Sequence, residues 1–287
     1  MSRYINEEKI ALLEKKARDV RETVIRMLVA AGSGHTAGPL GMADVFTAFY
    51  FHILNHDPQN PAWEDRDRLI LSNGHIVPVR YAAMAHAGYF PVEECETLRK
   101  FGSRLQGHPE RVKLPGLETT SGPLGSGLSQ AAAMAYAAKM DGKRWRTYCC
   151  MSDAEQQAGN IWEAAMFAGR NRLGSLTGII DRNNIQINGM TEDIMPLEPL
   201  RDKYEAFGWH VLEIDGHNME AIVDATEQSK AIYEKPTLII AHTIPGKGVP
   251  EIEFDYTWHG KPPSADEAKK FLAEIRTLGG KVEGEYA

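Results

Sequence analysis

Thr147-Tyr148-Cys149-Cys150-Met151-Ser152-Asp153 and Leu176-Thr177-Gly178-Ile179-Ile180-Asp181-Arg182-Asn183-Asn184, with the helical pattern Asn160–Arg170 between them, decide the fold. Each run is apolar at consecutive positions, so as a strand it needs cover on both faces. That is the mark of a parallel sheet inside an α/β protein. A strand, a helix and a second strand form a right-handed crossover, which lays the two strands parallel and close enough to pair directly.

Outward from this unit the same grammar repeats. Arg68–Leu71, His210–Ile214 and Thr237–Ala241 read as further strands, with helical patterns at Leu128–Met140 and Met219–Tyr233. At the N-terminal end Ile10, Leu13, Ala17, Val20, Val24 and Leu28 recur every three or four positions, predicting a long amphipathic helix from Asn6 to Ala31 with Asn6 as its cap. Gly32-Ser33-Gly34-His35-Thr36-Ala37-Gly38-Pro39 should break it, with a second helix starting near Met42. The expected architecture is one α/β domain over residues 1–287, in three layers, with helices on both faces of a largely parallel sheet. Gly279-Gly280 begins a polar tail expected to fray.

Composition narrows the function. The 287 residues include 32 Lys and Arg against 39 Asp and Glu, a net charge of -7, which argues against a general nucleic-acid or anionic-membrane binder. The basic cluster Lys143-Arg144-Trp145-Arg146 stands alone in an acidic chain and reads as a solvated loop before a strand. Three cysteines, Cys95, Cys149 and Cys150, fit neither a disulfide framework nor metal-ligand spacing. No apolar stretch approaches the roughly 18 residues that span a bilayer, and the start lacks a signal-peptide core, so a cytoplasmic location is expected.

Ligands of parallel sheets bind beyond the C-terminal ends of the strands. Asp153 follows one strand and Asn183 the next, so the two could share a small cation with hard oxygen donors, as Mg²⁺ prefers. Such a site predicts a diphosphate cofactor. The plainer alternative is that Asp153 caps the next helix and Asn183 makes a turn.

Further motifs make the chain recognisable: Gly34-His35-Thr36, Leu71-Ser72-Asn73-Gly74-His75, Gly107-His108-Pro109, Ser121-Gly122-Pro123-Leu124-Gly125, Asp181-Arg182-Asn183-Asn184 and Trp258-His259-Gly260. From about Glu8 to Pro263 the chain resembles the N-terminal, diphosphate-binding part of transketolase, particularly the form split into two chains. The resemblance implies thiamine diphosphate with Mg²⁺ or Ca²⁺, the metal held by Asp153, Asn183 and the Ile185 carbonyl. It places His75 and His259 against the diphosphate, the Gly122, Pro123 and Leu124 loop against the cofactor rings, and His35 and His108 toward the reacting sugar. Imidazoles suit that chemistry, because they move protons near neutral pH and donate to a developing alkoxide. His52, His56, His86, His210, His217 and His242 receive a structural reading.

Two departures accompany the match. Where the family pattern has Gly-Asp-Gly followed by Glu-Gly, this chain has Ser152-Asp153-Ala154 and then Ala158-Gly159. Ala154, in the cofactor loop, replaces a glycine and would be strained if its φ were positive. Ala158 replaces a glutamate that in transketolases reaches across the dimer to the glutamate activating the cofactor; Glu155 is one possible substitute. No pyrimidine-binding domain is recognised, so the resemblance implies a C-terminal pyrimidine-domain transketolase subunit as partner, in a symmetric assembly with two copies of each chain. The expected activity is transfer of a two-carbon ketol unit between sugar phosphates. Ketol transfer on a modified sugar, and a non-catalytic or regulatory cofactor-binding subunit, stay open as alternatives.

Overall fold

The computed structural model describes residue 2 and residues 4–277; the Gly279-Gly280 expectation lies outside the described residues. Seven strands occur among them: β1 (Arg68–Leu71), β2 (Thr147–Ser152), β3 (Leu176–Arg182), β4 (Ile185–Gln186), β5 (Gly189–Met190), β6 (His210–Asp215) and β7 (Thr237–His242). Five form one sheet in the order β1-β2-β3-β7-β6, every neighbouring pair parallel, while β4 and β5 make a small antiparallel hairpin just after β3. β2 and β3 are direct neighbours, with Ser152 opposite Asp181.

The helices are α1 (Glu7–Ala31), α2 (Ala37–Gly41), α3 (Ala43–Ala48), α4 (Val77–His86), α5 (Ser126–Met140), α6 (Gly159–Arg170), α7 (Thr191–Ile194), α8 (Leu200–Ala206), α9 (Met219–Ala231) and α10 (Ala265–Thr277). Alternation along the strands sorts them into two layers. Tyr148, Cys150 and Ile179 join the core that α1, α3, α4 and α9 cover, while Cys149, Met151 and Ile180 join the one that α5, α6 and α8 cover. Both faces of the sheet are therefore buried, as the uninterrupted apolar runs require.

α1 begins as expected: the Asn6 side chain accepts from the Lys9 N–H at 2.8 Å. It ends at Gly32, in the left-handed region at φ 62, whose N–H donates to the Leu28 and Val29 carbonyls. The helix expected near Met42 is α3, which begins at Ala43, and the short α2 precedes it from Ala37. Pro39 is tolerated there because it lies in the first turn, where a helix has no use for the amide N–H it lacks.

The α5–α6 layer approaches backbone to backbone at Gly169, where an added methyl carbon would come within 1.8 Å of the Phe207 carbonyl oxygen. An Ala for Gly exchange inside a helix ordinarily adds about 0.5–1 kcal/mol of stability. Here Gly169→Ala should instead cost on the order of 1–3 kcal/mol, because two backbones must separate. Urea denaturation reads the sign, and a stabilised variant would refute the packing.

Candidate functional site

The C-terminal ends of β1, β2 and β3 form the floor of a cavity of about 390 Å³. Its lining brings together His35 from the turn before α2, His75 after β1, His108, Gly122 and Leu124 from the segment before α5, Ala154 after β2, Asn183 and Ile185 after β3, and His259. Asp153 lies beneath this surface with no exposure, and Pro123 stands exposed beside Leu124. Residues far apart in sequence thus converge on one site.

Asp153 is held from several sides. Its Oδ1 accepts from the Ala154 N–H at 2.6 Å, while Oδ2 accepts from the Asn184 N–H at 2.7 Å and from Arg182 Nη1 at 3.1 Å. Asn184 reaches it by adopting φ 62, a left-handed conformation that Asn tolerates better than most residues. Burial raises the Asp153 carboxyl to about 6, against the opposing pull of Arg182 and the backbone donors. Next to it the Asp153 N–H donates to the Asp181 carbonyl at 3.1 Å.

Asn183 is oriented on both ends. Its Nδ2 donates to Asp181 Oδ2 at 2.8 Å, and its Oδ1 accepts from the Ile185 N–H at 3.0 Å. Asp181 also accepts from the Thr243 hydroxyl and is raised by burial to about 7. Asp153 does cap the short turn that follows it and Asn183 does shape its turn, as the structural reading expects. Ala154 has no positive φ, so alanine sits in the family's glycine position without backbone strain.

Glu155 does not reach out of the molecule. It is 1% exposed, its Oε1 accepts from the Ser72 hydroxyl and from the Gly125 N–H at 2.5 Å, and its Oε2 accepts from the Ser152 N–H at 3.1 Å. It therefore cannot stand in for the carboxylate missing at Ala158. Its work is internal: it ties the ends of β1 and β2 to the Gly122–Gly125 loop.

His35, His75 and His259 cluster with ring centroids 4.9, 5.4 and 5.1 Å apart. Burial, then mutual repulsion, pushes His35 down to about 4 and His75 well below its ordinary value; burial lowers His259 and His108 as well. All four are neutral imidazoles at pH 7, able to donate from one nitrogen and accept at the other. His217, given a structural reading, is buried between Asp44 Oδ2 at 2.8 Å and the Ile244 N–H at 2.8 Å.

Sequence reasoning missed part of the rim. Gln157, Gln186, Ile187 and Asn188 also line the cavity, and Gln157 Nε2 donates to Gln186 Oε1 at 3.1 Å and to the Met195 carbonyl at 2.9 Å. The Asn188-Gly189 pair, a common hairpin turn, was the signal for it. Arg182, which joins Asp153 to Glu192 at 2.6 Å and Glu198 at 2.9 Å, carried none.

Comparison with known proteins agrees with this geometry. The family model described as "Transketolase, thiamine diphosphate binding domain" matches residues 13–279. The 6-deoxy-6-sulfo-D-fructose transketolase subunit SqwG of Clostridium sp. (strain MSTE9) is 43% identical over 267 residues, covering 93% of this chain and 97% of that one. An apulose-4-phosphate transketolase subunit of Phocaeicola vulgatus is 40% identical over 276 residues, covering 96% and 98%. Among solved structures, a transketolase from Pichia stipitis superposes with a TM-score of 0.86 at 32% identity, over 96% of this chain and 42% of that one. The chain belongs to the transketolase family of transferases, and its fold is that of the family's thiamine diphosphate-binding domain.

The lowered histidines leave a thermodynamic signature. The unfolded chain takes up a proton on each histidine below pH about 6.5, whereas folded His35 resists until about 4, so its contribution to stability is lost as pH falls through that window. Comparing wild type with His35→Asn cancels the buried carboxylates, which titrate with the opposite sign. The difference should shift in the variant's favour by up to about 3 kcal/mol between pH 6.5 and 4. A pH-independent difference would mean that His35 is not desolvated.

Proposed function

We propose that this chain, as a single domain over residues 1–287, is the diphosphate-binding subunit of a thiamine diphosphate-dependent transketolase, moving a two-carbon ketol unit from a ketose donor to an aldose acceptor. The observation that carries the reading is the pair Asp153 and Asn183 at the ends of adjacent parallel strands, under a cavity walled by neutral imidazoles. The residues fit the cofactor: one carboxylate, one amide oxygen and the Ile185 carbonyl are the hard donors Mg²⁺ or Ca²⁺ takes. His35 Nδ1 is buried with no hydrogen-bond partner among the described residues.

Bound thiamine diphosphate supplies the nucleophile and electron sink for breaking a carbon–carbon bond beside a ketone. The chain's own residues do the rest. Asp153, Asn183 and Ile185 would hold the cation; His75 and His259 would donate to the diphosphate, and the Gly122–Leu124 loop, anchored through Gly125 to Glu155, would face the rings. His35 and His108 donate to the sugar's oxygens and accept its protons, a role for which neutral imidazole is suited.

A pyrimidine-domain partner completes the site, in a symmetric assembly with two copies of each chain in the cytoplasm. Two relatives whose length this chain spans are named as subunits, which supports the partner. Exposed Leu124, Tyr136, Met140, Met166 and Phe167 offer it an apolar face. None of the helices among the described residues is long and apolar enough to cross a membrane. Sugar phosphates are the proposed substrates; modified sugars such as those in the relatives' names are the nearest variant.

Asp153→Ala should abolish cation-dependent binding of thiamine diphosphate by the chain with its partner, measured by calorimetry. Affinity unchanged in EDTA would sink the metal assignment. Ala158, whose methyl carbon lies 3.0 Å from where a side chain on Gly125 would begin, favours a second reading, a non-catalytic cofactor-binding subunit. With Glu155 buried and engaged, Ala158→Glu should raise ketol-transfer rates in the presence of partner. If cofactor and partner bind but neither the wild type nor the variant turns over, the non-catalytic reading prevails.

A further inference from the structure

Several arginines, Arg99, Arg111, Arg144, Arg170 and Arg172 among them, have no carboxylate partner among the described residues, and Arg99 lies beside histidines of the cavity. Arg21, Arg80, Arg104 and Arg182 each pair with a carboxylate, whereas among the described residues no carboxylate pairs with Arg99. Its side chain makes one hydrogen bond among the described residues, a long contact of 3.5 Å from Nη2 to the Gly107 carbonyl. The residue is exposed, yet it is not loosely placed. Its backbone is held at φ 60, a conformation that costs a non-glycine residue stability, and its N–H donates to the Leu105 carbonyl at 2.9 Å.

Two glycines lie beside it. A methyl carbon on Gly107 would come within 2.8 Å of Arg99 Nε and 2.9 Å of Cζ, and one on Gly34 within 3.9 Å of Nε. The guanidinium thus lies over bare backbone immediately before His108 and His35, and its charge helps depress both imidazoles. Among the described residues, those lining the cavity itself supply imidazoles, amides and apolar groups and no Lys or Arg. A planar guanidinium with no carboxylate partner among the described residues, beside the two histidines assigned to the sugar, is a ready fork for phosphate, sulfonate or carboxylate.

We propose that Arg99, beside the cavity and outside its lining, is a specificity residue that receives the anionic group of the sugar substrate, so that this chain, and not its partner alone, recognises substrate charge. The proposal rests on the ketol-transfer reading. Gly107 is part of the device, since a side chain there would come within 2.8 Å of the guanidinium.

Two measurements test it. With partner and cofactor present, Arg99→Gln should raise KM for a phosphorylated ketose about 10- to 100-fold, the range of one charge-assisted hydrogen bond, with kcat little changed. KM for the unphosphorylated ketose and the affinity for thiamine diphosphate should not move, and Arg99→Lys should recover most of the loss. An equal rise for charged and uncharged donors, or weakened cofactor binding with an unchanged ratio of the two KM values, overturns the assignment.

Independently of turnover, inorganic phosphate added to the chain should shift the His35 and His108 imidazole resonances saturably in the wild type and not in Arg99→Gln. Identical responses in the two proteins, or none in either, overturn the anion site. If phosphate acts through Arg99 while the wild type turns over no ketose, the ketol-transfer reading falls and the anion site stands.

Discussion

Three carboxylates, Asp153, Glu155 and Asp181, are buried together where β2 and β3 end, and the rest of the site is arranged around the cost of keeping them there. A buried carboxylate without partners is among the most expensive groups a protein can contain. Each is satisfied differently. Asp153 takes a guanidinium and two backbone N–H groups, Glu155 takes a hydroxyl and two N–H groups, and Asp181 takes a hydroxyl and an amide. Through these bonds the strand ends fix loops that come from separate stretches of sequence, and the cavity's shape follows from them.

The strands and their neighbours were legible because burial on both faces leaves no polar position to hide in: β2, β3 and β7 are apolar runs bounded by polar breaks. The N-cap of α1 was legible for a local reason, a side chain bonding a backbone N–H three residues on. What local reasoning could not supply was any bond between distant segments. The reach of Glu155 to Ser72 and Gly125 depends on how three loops stack, and the placement of Arg182 depends on where the 191–199 segment folds back. The short α2 was hidden by treating Pro39 as a breaker when it sits in a first turn.

The histidines divide along the same line. His35, His75, His108 and His259 meet only because the ends of parallel strands gather loops from across the chain, so their convergence belongs to the topology. His217, by contrast, is consumed by Asp44 and the Ile244 N–H inside the core. In sequence only the motifs that carry the resemblance tell the first four from His217. The neighbours that desolvate the first four also leave them facing the open space of the cavity, whereas both ring nitrogens of His217 are engaged.

Arg182 connects the floor of the cavity to the segment beyond the β4–β5 hairpin by bonding Asp153, Glu192 and Glu198 at once. One guanidinium among three carboxylates leaves a surplus of two negative charges when all are ionised. Electroneutrality at this corner is therefore a property shared by a buried strand end and a surface segment, and a change of ionic charge at one is felt as a change in attraction at the other.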